Sequence, residues 1–158
     1  VPVVSLFAFV GCETFDKGAP QPLTVNSYPP RAEVFVGGES MGFTPVEIEL
    51  HRKMSHQIEV VKEGYRSESV LVGPVANDKA DNFVKFGLMD EAGYYADLSP
   101  NPISVQLRPE VLPTVPGYDA FSEMTSAIQK VDAKRESGEI SAEEHKYQVE
   151  QIIKFYGN

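Results

Sequence analysis

The side chains that could bind a metal ion are few in this sequence, and their spacing is poor for that task. His51 and His56 flank the turn HRKMSH, and Glu49 lies two residues before the first histidine. Two imidazoles and one carboxylate form an incomplete zinc ligand set. Residues 77–82 (NDKADN) offer oxygen ligands, but they lack the Asp-x-Asp-x-Asp-Gly order and the terminal Glu of a calcium loop. We interpret both segments as polar, solvated turns and predict no metal or other cofactor.

The residue patterns that enzymes use are also missing from the sequence. No serine lies in a nucleophile elbow, and the 23 acidic residues contain no pair that is singled out for hydrolysis. Gly37-Gly38 follows a predicted strand but leads into another strand, whereas a phosphate-binding glycine loop leads into a helix. We therefore predict that the protein is not an enzyme.

Three tyrosines are the best candidates for binding a sugar. Tyr94, Tyr95 and Tyr118 could stack on sugar rings if their own rings were exposed together. The alternative is that these rings pack in the core or at its rim. The sequence leaves both open.

Cys12 is the single cysteine and lies where the composition changes. Residues 1–10 (VPVVSLFAFV) are uncharged and almost wholly apolar, and residues 13–18 (ETFDKG) are polar. An apolar segment of this length is too short to cross a bilayer but suits the hydrophobic region of a signal peptide. A buried first strand and a plain secretory signal are the alternatives. With one cysteine, no intramolecular disulfide can form.

The residues around Cys12 resemble a bacterial lipobox. The match is Phe9-Val10-Gly11-Cys12, with Phe9 in place of the usual leucine. The resemblance implies that signal peptidase removes residues 1–11 and that Cys12 carries the lipid, including palmitate. Several acyl chains on one cysteine would anchor the protein stably, since each buried methylene stabilises membrane binding by about 0.8 kcal/mol. Glu13 rather than Asp follows the cysteine, which favours the outer membrane over the inner.

Composition excludes some classes of partner. The 158 residues carry a net charge of −9, and the sequence pI is near 4.8. A nucleic-acid-binding protein would carry a basic patch, and the Lys and Arg residues do not cluster. The acidity also argues against electrostatic docking to anionic lipid.

Short alternating segments separated by turn residues indicate β-strands. Residues 32–36, 46–50 and 56–61 place apolar side chains on one face and polar side chains on the other, as half-buried antiparallel strands do. Residues 23–27, 67–72 and 103–107 are predicted as further strands. The last of these can close the sheet beside the first or the fourth strand, and the sequence does not decide between them.

These segments resemble the PEGA domain. The similar residues are 27–36 (SYPPRAEVFV), Gly38-Glu39, 42–45 (GFTP) and 62–65 (KEGY). The resemblance extends over residues 23–109 and implies a small β-domain of the cell surface without catalytic residues. Tyr65 is expected to cover the end of the core with its ring while its hydroxyl stays in water. Residues 73–102 form an insertion in this pattern, similar to one in some PEGA-like lipoproteins.

Helical periodicity begins near residue 120. The apolar residues recur every three or four positions in two segments that are separated by Ser137-Gly138. They are Phe121, Met124, Ile128 and Val131 in the first segment, and Val149, Ile152, Ile153 and Tyr156 in the second. Ser141 and Glu144 have the spacing of a capping box, which predicts the start of the second helix.

The helical segment resembles the SHOCT motif, a short C-terminal helix–turn–helix. The similar residues are 138–144 (GEISAEE). The resemblance implies a role in oligomerisation or partner docking. Two short helices with narrow apolar stripes must also pack on each other, on the β-domain or on another copy.

The sequence thus predicts a mainly β fold with C-terminal α-structure, an antiparallel β-sandwich followed by a two-helix hairpin. We divide the chain into a truncated signal peptide with its lipobox (1–12), a tether (13–22), the PEGA-like domain (23–109), a linker (110–119) and the helical hairpin (120–158). The expected function is that of a non-catalytic envelope lipoprotein that faces the periplasm and binds a protein partner or itself. Binding of peptidoglycan or surface glycan through Tyr94 and Tyr95 is the alternative.

Overall fold

The computed structural model describes residues 17–80 and 87–157. The predictions for Cys12, for residues 1–12 and for most of the tether lie outside this part of the chain. Its strands and helices follow in this order: β1 (Pro20–Tyr28), β2 (Glu33–Val36), β3 (Glu39–Phe43), β4 (Val46–His51), β5 (His56–Val61), β6 (Glu68–Ala76), α1 (Gly87–Glu91), β7 (Ala96–Ser99), β8 (Ile103–Gln106), α2 (Ala120–Glu136) and α3 (Ala142–Tyr156). Within the described residues, no helix is both long and apolar enough to cross a membrane.

The strands form two sheets, which confirms the prediction of a β-sandwich with a C-terminal helical hairpin. One sheet has the order β4-β1-β8 and the other has the order β3-β2-β5-β6-β7. Neighbouring strands are antiparallel except for β1 and β8, which are parallel. The antiparallel prediction therefore holds for every pair but one, and the last strand lies beside the first.

The parallel pair follows from the short connection between β7 and β8. Only residues 100–102 separate the two strands, and they carry the chain from the five-stranded sheet to the three-stranded sheet. The Asn101 side chain holds this crossing on β1, since its Nδ2 donates to the Pro22 carbonyl at 3.0 Å. Because this link is short, β8 continues in the direction of β7. That is also the direction of β1, so β8 and β1 are parallel.

The strands differ from the prediction by more than one residue at three places. The strand expected at residues 23–27 begins at Pro20, so residues 20–22 of the predicted tether pair with β4. The insertion at 73–102 contributes the end of β6 and all of β7 to the sheet. The third difference is β3, at Glu39–Phe43, where we predicted no strand.

The core lies between the two sheets. Ile48 and Leu50 point into it, while Glu47 and Glu49 are exposed, as the alternation predicts. Each fully buried Val, Leu or Ile stabilises the fold by about 1.5–3 kcal/mol relative to an exposed one. The fully buried side chains include Leu23, Val25, Val34, Ile58, Val60, Val72 and Leu107.

The sandwich has two different ends. At one end, which we call the entry end, the described chain begins, and Pro20 pairs with His51 while Ala76 pairs with Ala96. At the other end, which we call the hairpin end, Tyr28 pairs with Gln106. The nine residues of β1 run between the two ends, a distance of about 26 Å for eight steps of roughly 3.3 Å.

Helices α2 and α3 form an antiparallel hairpin with its own small core. The four buried members of this core are Leu112, Ala127, Val131 and Ile152. Asp119 caps α2, and the predicted capping box of Ser141 and Glu144 is present at the start of α3. The local sequence therefore fixes where both helices begin.

The predicted linker at residues 110–119 is packed along part of its length. Leu112 is 2% exposed, and its carbonyl accepts a hydrogen bond from Arg66 Nη2. Arg108 Nη2 donates to the Pro113 carbonyl at 3.0 Å. The chain is thus held against the sandwich up to residue 114, and every residue from 114 to 119 is exposed.

Candidate functional site

Helix α3 covers the hairpin end of the sandwich. The Tyr147 ring is 7% exposed and belongs to the core of the sandwich rather than to the core of the hairpin. It meets Tyr28 edge to face, with ring centroids 4.7 Å apart, and stacks on Tyr65 at 6.4 Å. The hairpin therefore packs on the β-sandwich of its own chain, which was one of the alternatives that the sequence left open.

Two hydrogen bonds accompany this aromatic packing. Tyr147 Oη donates to the Leu107 carbonyl at 3.0 Å, and Gln148 Nε2 donates to Tyr65 Oη at 3.0 Å. The expectation that the Tyr65 hydroxyl stays in water is therefore wrong. Tyr65 is 6% exposed because α3 covers it, and its hydroxyl satisfies a glutamine that is 3% exposed.

The two tyrosines are firmly neutral. Burial raises the pKa of Tyr65 to about 12, although the hydrogen bond from Gln148 acts in the opposite direction. Burial also raises the pKa of Tyr147. Both hydroxyls thus remain protonated near neutral pH and serve as fixed hydrogen-bonding groups.

An ion pair closes the rim of this joint. Lys62 Nζ lies 3.1 Å from Glu144 Oε1, and both side chains are largely covered. Burial alone would raise the pKa of Glu144, but hydrogen bonds from the Ser141 backbone and from Lys62 outweigh it and hold the pKa below its ordinary value of 4.5. The carboxylate of the capping box thus also holds α3 on the sandwich.

Two open grooves flank the joint. One has a volume of about 670 Å³ and is lined by charged residues of both signs, among them Arg31, Glu63, Lys134 and Glu139. The other, of about 480 Å³, contains Arg108, whose guanidinium lies 4.9 Å from the centre of the Phe155 ring.

The groove linings consist of charged, polar and aromatic side chains together with a few apolar ones. Among the described residues, the two linings contain no His, Cys or Ser that could act as a base or nucleophile. The same part of the chain contains no group of three or more His, Cys, Asp or Glu placed to hold a metal ion.

The structure divides the predicted interaction residues of the hairpin into two sets. Ile152 is fully buried, and Met124, Ile128 and Val149 pack around it between the helices. Phe121 and Ile153 are 75% and 52% exposed. The helical period identified both sets, but it could not separate the inner face from the outer face.

The two exposed residues lie at the same end of the hairpin. Tyr156 Oη donates to Glu123 Oε2 at 3.3 Å, which places the end of α3 beside the start of α2. Val115 and Tyr118, in the segment that leads into α2, are also exposed. We call Val115, Tyr118, Phe121 and Ile153 the hairpin surface. Val115 was missed because a valine in a proline-rich segment carries no periodic signal.

Tyr94 and Tyr95 lie together at the entry end. Their ring centroids are 5.4 Å apart, and the planes meet at 86°. Lys79 Nζ lies 4.4 Å from the centre of the Tyr94 ring. Tyr118 lies in the segment before α2, so it belongs to a different part of the fold. The pair presents an edge-to-face arrangement rather than one flat platform.

The polar turns have structural roles. His51 Nδ1 donates to the Gly18 carbonyl at 2.8 Å, and His56 Nε2 donates to the His51 carbonyl at 2.9 Å. Asn77 Nδ2 donates to the Tyr94 carbonyl at 3.1 Å. Both histidines are half-buried, while residues 53–55 between them are exposed, as expected for a polar, solvated turn. The His51 ring ties this turn to the segment before β1, and the His56 ring closes the turn itself.

The model of the PEGA domain family matches residues 21–84 of the chain. The search of the curated proteins and that of the solved structures found no match. The helical hairpin and the segment before it lie outside the matched residues. The match confirms the resemblance to the PEGA domain over residues 21–84, which hold nearly all of strands β1 to β6.

Proposed function

We propose that the protein is a non-catalytic lipoprotein of the cell envelope, anchored through an acylated Cys12, that binds a protein partner or a second copy through residues 120–158. The observation that carries the proposal is the hairpin surface. Large apolar side chains exposed on adjacent segments are typical of protein interaction sites, and aromatic residues dominate binding energy at such sites.

The way α3 is attached supports a scaffolding role. Tyr147 and Gln148 fix the hairpin to the sandwich by packing and by hydrogen bonds inside the protein. The hairpin surface is thereby presented by a rigid body, which reduces the entropy that a partner must overcome on binding. The resemblance of residues 138–144 to the SHOCT motif agrees with partner docking.

The proposed anchor rests on the sequence. Residues 1–10 are apolar, Cys12 follows a small residue, and the chain turns polar directly after it. On this proposal the mature protein begins at a lipid-bearing Cys12 and faces the periplasm. Glu13 favours the outer membrane.

Cross-linking in intact cells tests the interaction proposal. We expect cross-linked species in the wild type, and we expect them to be lost when Phe121 and Ile153 are both changed to serine. Leu71→Ser is the matched control, since Leu71 is 69% exposed but lies on β6, outside the hairpin surface. Unchanged cross-links in the Phe121→Ser, Ile153→Ser variant would contradict the proposal.

Glycan binding through Tyr94 and Tyr95 has less support. Sugar rings stack best on an open aromatic face, but these two rings meet edge to face and Lys79 approaches Tyr94. Binding to purified peptidoglycan that is lost in Tyr94→Ala would favour this alternative. Binding that the substitution leaves unchanged would oppose it.

A further inference from the structure

The entry end of the sandwich is built around the start of the described chain. Lys53 N donates to the Lys17 carbonyl at 3.0 Å, and Ala19 N donates to the Ala92 carbonyl at 2.8 Å. Gly18 has a φ of +80°, and a Cβ at this position would lie 2.8 Å from Lys53 Cγ. Residues 17–19 are therefore fixed between the β4–β5 turn and the loop after α1.

This fixed start limits how far the domain can lie from Cys12. Five residue steps separate Cys12 from Lys17. Whatever their conformation, they span at most about 18 Å, because a fully extended chain covers no more than 3.3–3.6 Å per residue. If Cys12 carries lipid at the membrane surface, the entry end must lie within this distance of it.

The entry end also exposes apolar side chains. Leu88 and Met89 of α1 are 70% and 56% exposed, and Met54 in the β4–β5 turn is 40% exposed. Tyr94, an aromatic residue with a polar hydroxyl, is 43% exposed at the same end. Tyrosines of this kind are enriched at membrane–water interfaces.

The charges at this end are balanced, unlike those of the whole chain. In residues 17–19, 52–55, 76–80 and 87–97 there are four basic and four acidic side chains, whereas the chain as a whole has a net charge of −9. The basic residues are Lys17, Arg52, Lys53 and Lys79, and the acidic residues are Asp78, Asp90, Glu91 and Asp97. Glu13 and Asp16 add two negative charges between Cys12 and Lys17, so an anionic lipid surface would repel the entry end, but less than the rest of the protein.

We propose that the entry end rests on the lipid surface, with Met54, Leu88, Met89 and Tyr94 at the headgroup level. The inference rests on the proposed acylation of Cys12. The hairpin end then lies up to about 26 Å from the membrane, the length of β1. The hairpin surface faces away from the membrane, where a partner can reach it.

Single tryptophans test this orientation, because the natural chain has none. Leu88→Trp and Met54→Trp report on the entry end, and Phe121→Trp is the matched control on the hairpin surface. Each acylated variant is reconstituted into phosphatidylcholine vesicles that contain brominated phosphatidylcholine, which quenches tryptophan fluorescence on contact. Mass spectrometry confirms the lipid on Cys12, and far-UV circular dichroism confirms the fold.

We expect the tryptophans at 88 and 54 to be quenched and shifted to shorter emission wavelengths, and the tryptophan at 121 to be unaffected. Lipid-bearing protein in which positions 88 and 54 are quenched no more than position 121 would overturn the orientation but leave the anchor intact. Protein that carries no lipid at Cys12 would overturn both proposals.

Discussion

At the scale of single residues, the joint between the sandwich and α3 depends on a few buried polar contacts. Tyr65 closes the PEGA-like segment, and its hydroxyl accepts a hydrogen bond from Gln148, more than eighty residues later in the chain. Lys62, from the same short segment, forms an ion pair with Glu144. Residues 62–65 thus end the PEGA pattern and also contact α3.

Tyr65→Phe should destabilise the protein by about 1–3 kcal/mol, because the buried Gln148 amide would lose its partner. The change removes one oxygen and keeps the ring packing. The free energy of unfolding from urea titration measures the effect, and Tyr118→Phe in the exposed segment is the control. Equal stability of the two variants would show that the buried contact is unimportant.

The lowered pKa of Glu144 predicts a pH dependence with a definite sign. The ionised carboxylate stabilises the fold fully above the ordinary pKa of 4.5, and this stabilisation is lost as the pH falls through the lower folded-state value. Glu144→Gln keeps a capping-box side chain but not the charge. Stability measured across this acidic range should fall more steeply in the wild type than in the variant, and parallel curves would refute the assignment.

At the scale of elements, local sequence patterns predicted most strands and both long helices. The segment 56–61 was predicted with the bounds that β5 has, and Ser141 marked the start of α3. β3 was missed because its sequence ESMGF does not alternate, and β7 was missed because only Leu98 in it is buried. Short edge strands form because a neighbouring strand offers hydrogen bonds, and a local pattern cannot reveal that neighbour.

The tertiary contacts of the candidate site were harder to predict from the sequence than the strands and helices. The helical period identified Phe121 and Ile152 alike, although one is exposed and the other is buried. Tyr147 and Gln148 were not predicted as contact residues, because a tyrosine and a glutamine in an amphipathic helix carry no signal for a second core. Their role depends on where the chain folds back after residue 114.

The capping box of α3 gives a prediction at this scale. Ser141→Ala should cost about 0.5–2 kcal/mol, because the Glu144 backbone N–H loses its acceptor at the start of the helix. Ser126→Ala, an exposed site inside α2, is the matched control and should change stability little. Urea titration followed by circular dichroism compares the two variants. A loss no larger than that of the control would contradict the role of the cap.

At the scale of the whole molecule, the hairpin and the sandwich should unfold together. Tyr147 of α3 belongs to the core of the sandwich, and the segment before α2 is held by Arg66 and Arg108. Neither part keeps its buried surface if the other unfolds. Deletion of residues 120–158 would therefore uncover the hairpin end, whereas surface substitutions leave the fold intact.

Tyr147→Ala tests this coupling. We expect a loss of about 3–5 kcal/mol, as for other large buried aromatic side chains, and a single transition in both wild type and variant. Far-UV circular dichroism follows the helices, and near-UV circular dichroism follows the packed tyrosines. If the helices unfold in a separate transition while the tyrosine signal persists, the two parts are independent and the account of the joint is wrong.

We propose that this domain is held to a membrane through an acylated Cys12, and the proposed role of the protein depends on this anchor. Incorporation of labelled palmitate into the protein expressed in bacterial cells tests this anchor most directly. The account predicts that the wild-type protein is labelled and that Cys12→Ala abolishes the label. An unlabelled wild-type protein, or a label that persists in Cys12→Ala, would contradict it.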